Sequence, residues 1–239
     1  YCIWSMDYLA QRLKVAAIGC SFTNYIWPTY ADVLQADKFG QAGIGNERIF
    51  YILCHLYKTQ QLYLYDAIII QWTGPFRFDY LKKDGWTHND GNIAHSVENR
   101  YIWKKIKEWY NEDFETEKSK NYILATKAIC DKIGIKQYHM SMTDFIDYVD
   151  LPELSDNFKG RYQIQSAKWS KTPFEDGHPD IPSHISIAEK AAEYLQTNIS
   201  PIMTNKCNDF HKLILKGMTF EDIDKHYQLY FPNRHITAC

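Results

Sequence analysis

Val15-Ala16-Ala17-Ile18-Gly19-Cys20-Ser21-Phe22-Thr23 is an apolar run that stops at a glycine and delivers a serine. The run predicts a first strand over 14–18 with Ser21 at its tip, where an exposed hydroxyl is a candidate nucleophile. Downstream, Pro28 is placed at an early position of a helix running to about Ala36, and Asn46 can cap a helix carrying Ile49, Phe50, Leu53, Leu56 and Tyr57. Residues 66–72 contain Ala67-Ile68-Ile69-Ile70 and read as a central strand, apolar on both faces. A helix over roughly 118–133, broken at Gly134, a strand over 135–140, and a last helix over about 183–196 capped by Ser183 complete the alternation. Strand and helix in alternation predict an α/β fold: a parallel sheet with helices on both faces and right-handed crossovers. Sites in such folds lie at the carboxyl ends of the strands, which is where Ser21, Gly43, Trp72 to Arg77 and His178 are expected to gather.

The 239 residues suffice for one sizeable domain and a short appendage, and an apolar fraction of 45% with 15% aromatics is that of a packed core. A formal charge of -2 gives no reason to invoke nucleic acid or an acidic membrane surface, and no apolar run is long enough to span a bilayer. The six cysteines show no CxxC spacing, so neither a zinc site nor a disulfide scaffold is expected. His55, His88, His95 and His139 have no ligand spacing, so no metal is expected, nor any other cofactor. No basic stretch followed by an apolar segment occupies 1–13, which sets the expectation of no signal peptide and a cytoplasmic or virion setting.

The main domain is expected over 1–200. Within it, 78–121 forms an aromatic and charged insertion (Trp86, Tyr101, Trp103, Trp109, Tyr110) with helical periodicity over about 97–110, read as a lid or as a helical cover on the sheet. After Ser200-Pro201 a helical appendage is expected over 201–239. Its Lys216 to Ile223 segment, with Phe231 to Arg234, resembles a Myb-type helix-turn-helix unit. Glu221, Asp222 and Asp224 offset Lys212, Lys216, Lys225 and Arg234, so a packing or assembly role is expected ahead of nucleic-acid binding.

A serine hydroxyl needs a base to take its proton, and Glu175-Asp176-Gly177-His178-Pro179 supplies an imidazole with a carboxylate just before it to orient the ring. Gly177 is read as permitting a sharp turn there, and Pro179 as restricting His178. Taken together, the two ends of the chain resemble the SGNH (GDSL-like) hydrolases over about 14–194. Gly19-Cys20-Ser21-Phe22 is similar to the nucleophile block with Cys in place of Asp, and Asp176-Gly177-His178-Pro179 is similar to the late Asp-x-x-His block shortened by one residue. The resemblance implies a three-layer α/β/α sandwich and a triad of Ser21, His178 and Asp176, with Glu175 the alternative acid.

Gln41-Ala42-Gly43-Ile44-Gly45-Asn46-Glu47-Arg48 resembles the second block, which implies that Gly43 joins Ser21 in binding an oxyanion through backbone N–H groups. Gln71-Trp72-Thr73-Gly74-Pro75-Phe76-Arg77 stands where the family has Gly-x-Asn-Asp, so the asparagine donor is absent and Thr73 or Asn46 is the candidate replacement. Trp72 and Arg77 are candidate substrate contacts, Arg77 holding an anionic or sugar group or pairing with a surface carboxylate. His184 is read as a capping or packing residue. The expected activity is hydrolysis of carboxylic esters through an acyl-enzyme, O-acetyl groups on carbohydrates included. The alternatives are a catalytically degenerate binding or structural protein on the same fold, and nucleic-acid binding through 209–239.

Overall fold

In the computed structural model strand β1, Val15–Gly19, is buried along its whole length, which leaves it no place but the middle of a covered sheet. The structure describes residues 12–75, 77, 79–82, 85–87, 104–105, 107–108, 110–142, 161–164 and 174–232. Helix α1, Tyr30–Val33, is a single turn. Pro28 lies outside it, before the N-cap Thr29. The helix stops well short of its predicted end because Gln35 adopts a left-handed φ of 53° and Ala36 returns its N–H to the Ala31 carbonyl at 2.8 Å. Strand β2, Asp37–Gly40, follows, then α2, Asn46–Lys58, a 3₁₀ turn over Gln61–Leu64, and β3, Ala67–Trp72, buried throughout. The antiparallel pair β4, Tyr80–Lys82, and β5, Gly85–Thr87, precedes α3, Glu112–Ile133, and β6, Lys136–Ser141. A second short pair, β7, Gln163–Ile164, and β8, Phe174–Glu175, leads to α4, Ile181–Leu195, α5, Pro201–Ile214, and α6, Phe220–Tyr230.

Among the described residues the sheet is four-stranded and parallel, in the order β2-β1-β3-β6. β1 therefore has β2 on one side and β3 on the other, and the carboxyl end of β1 is the point where the chain's direction across the sheet reverses, the usual position of a site in an open α/β sheet. Helix α1 packs against α4 and α5, while α2 packs against α3. Two helix groups on an α/β sheet are compatible with a three-layer α/β/α fold.

Several boundaries depart from the sequence expectation for one reason: caps arrive from elsewhere in the chain. Asn46 is the first helical residue of α2 and not its cap. The cap position is Gly45, and the buried Asp79 carboxylate supplies the missing acceptor, receiving the N–H groups of Gly45 at 2.8 Å and Arg48 at 2.9 Å. Ser183 is likewise inside α4. Asp180 is the cap, its Oδ1 accepting the Ser183 N–H at 2.9 Å and hydroxyl at 2.5 Å. α3 begins earlier than expected because Asn111 caps it, accepting the Phe114 N–H at 2.9 Å, and it ends at Gly134 as expected.

The helices after Ser200 are not an appendage in packing. Met203, Cys207, Phe210, Ile214, Ile223, Tyr227 and Phe231 are buried in the same hydrophobic core as the sheet. Tyr227 also closes a fully buried ion pair, since Lys38 Nζ lies 3.1 Å from Asp32 Oδ1, the Tyr227 hydroxyl donates to Asp32 at 3.0 Å, and Lys38 donates to the Tyr227 oxygen. A buried pair satisfied in this way avoids the several kcal/mol that an uncompensated interior charge costs, roughly 3–5 kcal/mol when one partner is lost. The face of α6 carries Glu221, Asp222 and Asp224 beside Lys225, with no basic stripe, and Arg234 lies outside the described residues. So do His88, His95, Tyr101, Trp103 and Trp109, on which the lid or cover reading of the insertion depends. Among the described residues no helix is long and apolar enough to cross a membrane.

Candidate active site

The turn after β1 is shaped by close approach. A Cβ on Gly19 would stand 2.2 Å from Thr23 Oγ1 and 2.8 Å from the Gln71 side chain, so only glycine lets β1 run this tightly past β3. Gln71, on β3, reaches across to accept the Cys20 N–H at 3.0 Å, with the Cys20 sulfur 3.1 Å from the same oxygen, and its own amide nitrogen donates to the Trp72 carbonyl at 2.6 Å. Cys20 thus sits buried against the sheet, where it braces the turn and leaves Ser21 to point away.

The opposite half of the site is a loop clamped at both ends. Asp176 donates its N–H to the Tyr162 carbonyl at 2.9 Å, Trp27 Nε1 donates to the Pro179 carbonyl at 3.1 Å, and the Ile181 N–H donates to the Tyr162 hydroxyl at 3.1 Å. The Tyr162 hydroxyl is in turn 2.6 Å from His211 Nδ1 on α5. Inside the loop, Asp176 Oδ1 accepts the His178 N–H at 2.8 Å, a local turn made by the aspartate side chain. Gly177 does not have a left-handed φ, and a Cβ there would meet nothing within 4 Å, so the sharp turn expected of Gly177 is made by Asp176 instead.

These two halves meet. His178 Nε2 is 2.7 Å from Ser21 Oγ, and His178 Nδ1 is 2.6 Å from Asp176 Oδ1, across a separation of 157 positions in the chain. With Nδ1–H donated to the carboxylate, Nε2 is the acceptor for the serine hydroxyl. Burial pushes the Asp176 carboxyl up, but the hydrogen bonds and charge of His178 and the Tyr25 hydroxyl outweigh it and hold the carboxyl below its ordinary value. Tyr25 donates to Asp176 Oδ2 at 2.8 Å and stacks on the His178 ring at 3.8 Å, with Phe22 and Trp27 edge-on to the same ring. Burial and then the charge of Asp176 raise the Tyr25 phenol, so it remains a donor. Glu175, the alternative acid, is exposed and turned outward, with Arg161 at 3.4 Å and Gln163 at 3.3 Å.

Gly43 is buried with a left-handed φ of 81°, a conformation that suits glycine, and neither its N–H nor that of Ser21 donates to a backbone carbonyl among the described residues. The two side chains considered as a third oxyanion donor are brought together, but with each other. Asn46 spends both amide hydrogens, on the Thr73 carbonyl at 2.8 Å and on Ser119 Oγ at 3.0 Å, while its oxygen accepts the Thr73 N–H at 2.8 Å and hydroxyl at 3.2 Å. This pair ties the end of β3 to the start of α2 and to Ser119 within α3, and has no donor to spare for a substrate.

Trp72 is not placed as a substrate contact. It is wholly buried, and its indole N–H donates to His139 Nδ1 at 3.0 Å. Burial and then the charge of Lys127 push His139 down to about 3, so it stays neutral and its Nε2–H is donated to Gln137 Oε1 at 2.8 Å. Arg77 is half-buried beside the Gly43 loop, donating to the Ile44 carbonyl at 3.3 Å, with the Met142 sulfur at 3.7 Å. His184 packs inside the protein, fully buried with neither ring nitrogen hydrogen-bonded, and burial followed by the charges of His178 and Lys38 pushes it down to about 3. Among the described residues no group of three or more His, Cys, Asp and Glu side chains forms a cage for a metal ion.

Tyr25 and Asp79 are absent from the sequence reading, and Gln71 stands there only as the first residue of the Gln71 to Arg77 block, with no role. Only the position of Gln71, inside an otherwise apolar strand, carried a signal, since a buried glutamine amide must find partners. No protein-family model, no curated protein and no solved structure matches the chain. What the arrangement can do chemically is proton transfer from a serine hydroxyl to an oriented imidazole.

Proposed function

We propose that the protein is a serine hydrolase of carboxylic esters, of the SGNH type on a three-layer α/β/α sandwich. The observation that carries this reading is the Ser21–His178–Asp176 relay at 2.7 and 2.6 Å. Ser21 attacks the ester carbonyl as His178 Nε2 takes its proton. His178 then returns that proton to the alcohol, and water, activated by the same imidazole, releases the acid from the acyl-enzyme. Asp176 orients the ring and stabilises the imidazolium, and the N–H groups of Ser21 and Gly43 receive the oxyanion. Each such donor is worth about 10²–10³ in rate, so the hole is the weaker part of this machinery without an asparagine.

Hydrolysis of p-nitrophenyl esters and labelling by a fluorophosphonate, with Ser21→Ala and His178→Ala as controls, test the reading. Labelling and turnover lost in both variants are the expected result, and their absence from the folded wild type sinks it. Acetylated carbohydrates enter the same screen as the class that the family resemblance implies. A second reading, a catalytically degenerate binding protein on this fold, is favoured by one feature: Asn46 and Thr73 commit their donors to each other and Ser119, while Ser21 retains only 3% of its surface.

A further inference from the structure

A cavity of about 450 Å³ opens on Tyr25, between the segment after β1, the loop after β2, α2 and the start of α6. Tyr25, Ile26, Phe39, Ala42, Ile52 and Phe220 make its apolar walls, and Arg48 and Asp224 also line it. Its volume falls within the roughly 300–1,000 Å³ of small-molecule sites. Two walls are continuous with the catalytic geometry. Tyr25 is the ring stacked on His178, and Ala42 immediately precedes Gly43, whose N–H is assigned to the oxyanion. Phe220, edge-on to Tyr25 with ring centroids 6.3 Å apart, brings the C-terminal helices into the same enclosure.

We infer that this cavity is the acyl pocket of the enzyme and that it takes an unbranched apolar acyl chain well beyond acetyl. The inference rests on the ester hydrolase reading. A carbonyl oxygen held at Gly43 and a leaving oxygen facing His178 Nε2 leave the acyl chain as the third substituent, and Ala42, next to Gly43 in the chain, belongs to the cavity wall. The substrate class is then medium-chain acyl esters, and α6 is the specificity wall.

The test is a p-nitrophenyl ester series from acetate to decanoate, read as the octanoate-to-acetate ratio of kcat/KM within each protein. Burial of each methylene is expected to raise kcat/KM about fourfold until the cavity is full. Ala42 is exposed, so Ala42→Trp blocks the cavity without disturbing the core; it and the hollowing variant Phe220→Ala are both expected to lower the ratio at least tenfold. A flat profile with normal acetate turnover overturns the acyl pocket and leaves the hydrolase standing. So does a length dependence that follows the alcohol in an acetate-ester series instead of the acid. If no ester is turned over, the hydrolase reading fails by itself, and calorimetry on Ser21→Ala protein decides the cavity: octanoate binding lost on adding Ala42→Trp supports it, and no octanoate binding overturns it.

Discussion

Tyr25 lies flat against the imidazole of His178, ring centroids 3.8 Å apart at an interplanar angle of 23°. The same side chain donates its hydroxyl to the far oxygen of Asp176 at 2.8 Å, so one residue fixes both the base and its orienting acid. Tyr25→Phe keeps the ring and removes the hydrogen bond. A bond to a charged group contributes about 1.5–3 kcal/mol, so unfolding in urea is expected to show a loss in that range, and ester turnover is expected to fall roughly tenfold. The Asp176 carboxyl loses a donor and titrates higher. Tyr25→Ala also removes the stacked surface and is expected to be worse on both measures.

The acid of the relay is assigned by contact. Asp176→Asn is expected to reduce kcat/KM by about 10³–10⁴, because an amide cannot hold the same tautomer of His178. Among the described residues Glu175 contacts exposed Arg161 and Gln163, and Glu175→Gln is expected to keep turnover within twofold of wild type. The opposite ranking in a steady-state assay would exchange the two roles.

His184 makes stability depend on acid in a predictable direction. Its folded value of about 3 lies below the ordinary 6.5 of an unfolded histidine, so below that pH the unfolded chain binds a proton that the native protein refuses. Stability is therefore lost as pH falls from about 6.5 toward 3, by up to about 1.4 kcal/mol per pH unit for this residue. His139, also held near 3, adds to the same limb, and Asp176 contributes a further loss where its depressed carboxyl is finally protonated. His184→Leu removes two unsatisfied nitrogens from the core. Chemical denaturation across this range is expected to show equal or higher stability at neutral pH and a shallower acid slope; an unchanged slope would show that His184 is not kept neutral.

Two glycines in the site loops separate close approach from convenience. Gly19→Ala forces a Cβ to within 2.2 Å of Thr23 Oγ1, and the expected outcome is a loss of several kcal/mol or failure to fold. Gly177→Ala meets open space and is expected to leave stability within about 0.5 kcal/mol of wild type. Thermal melts of the two variants side by side measure the contrast.

The parts of the architecture that were legible in the sequence are those written in local pattern. The apolar runs of β1 and β3 and the long periodicity of α2 have no other stable arrangement, and the Asp176-Gly177-His178 and Gly19-Cys20-Ser21 segments carry their chemistry in adjacent residues. What escaped is what depends on distant partners. β2 has Phe39 as its one large apolar residue, and its buried Lys38 is tolerable only because Asp32 and Tyr227 surround it. Asn46 reads as a cap until Asp79 is seen occupying that role, and Trp72 reads as a candidate substrate contact until His139 receives its N–H. Tyr25 reaches a carboxylate 151 positions away, a contact that no window of sequence contains.

The buried Asp32–Lys38–Tyr227 contact sets an order of events during synthesis. Lys38 belongs to an early strand and its hydroxyl partner to the last described helix, so a ribosome-bound chain that has made the whole sheet still holds an ammonium group short of its final ligand. Until α6 emerges and docks, the β2 edge has either to keep that charge in water or to bury it incompletely matched. Completion of the β2 edge is thereby tied to the emergence of α6, and the same docking event that seals the charge brings Phe220 against Tyr25.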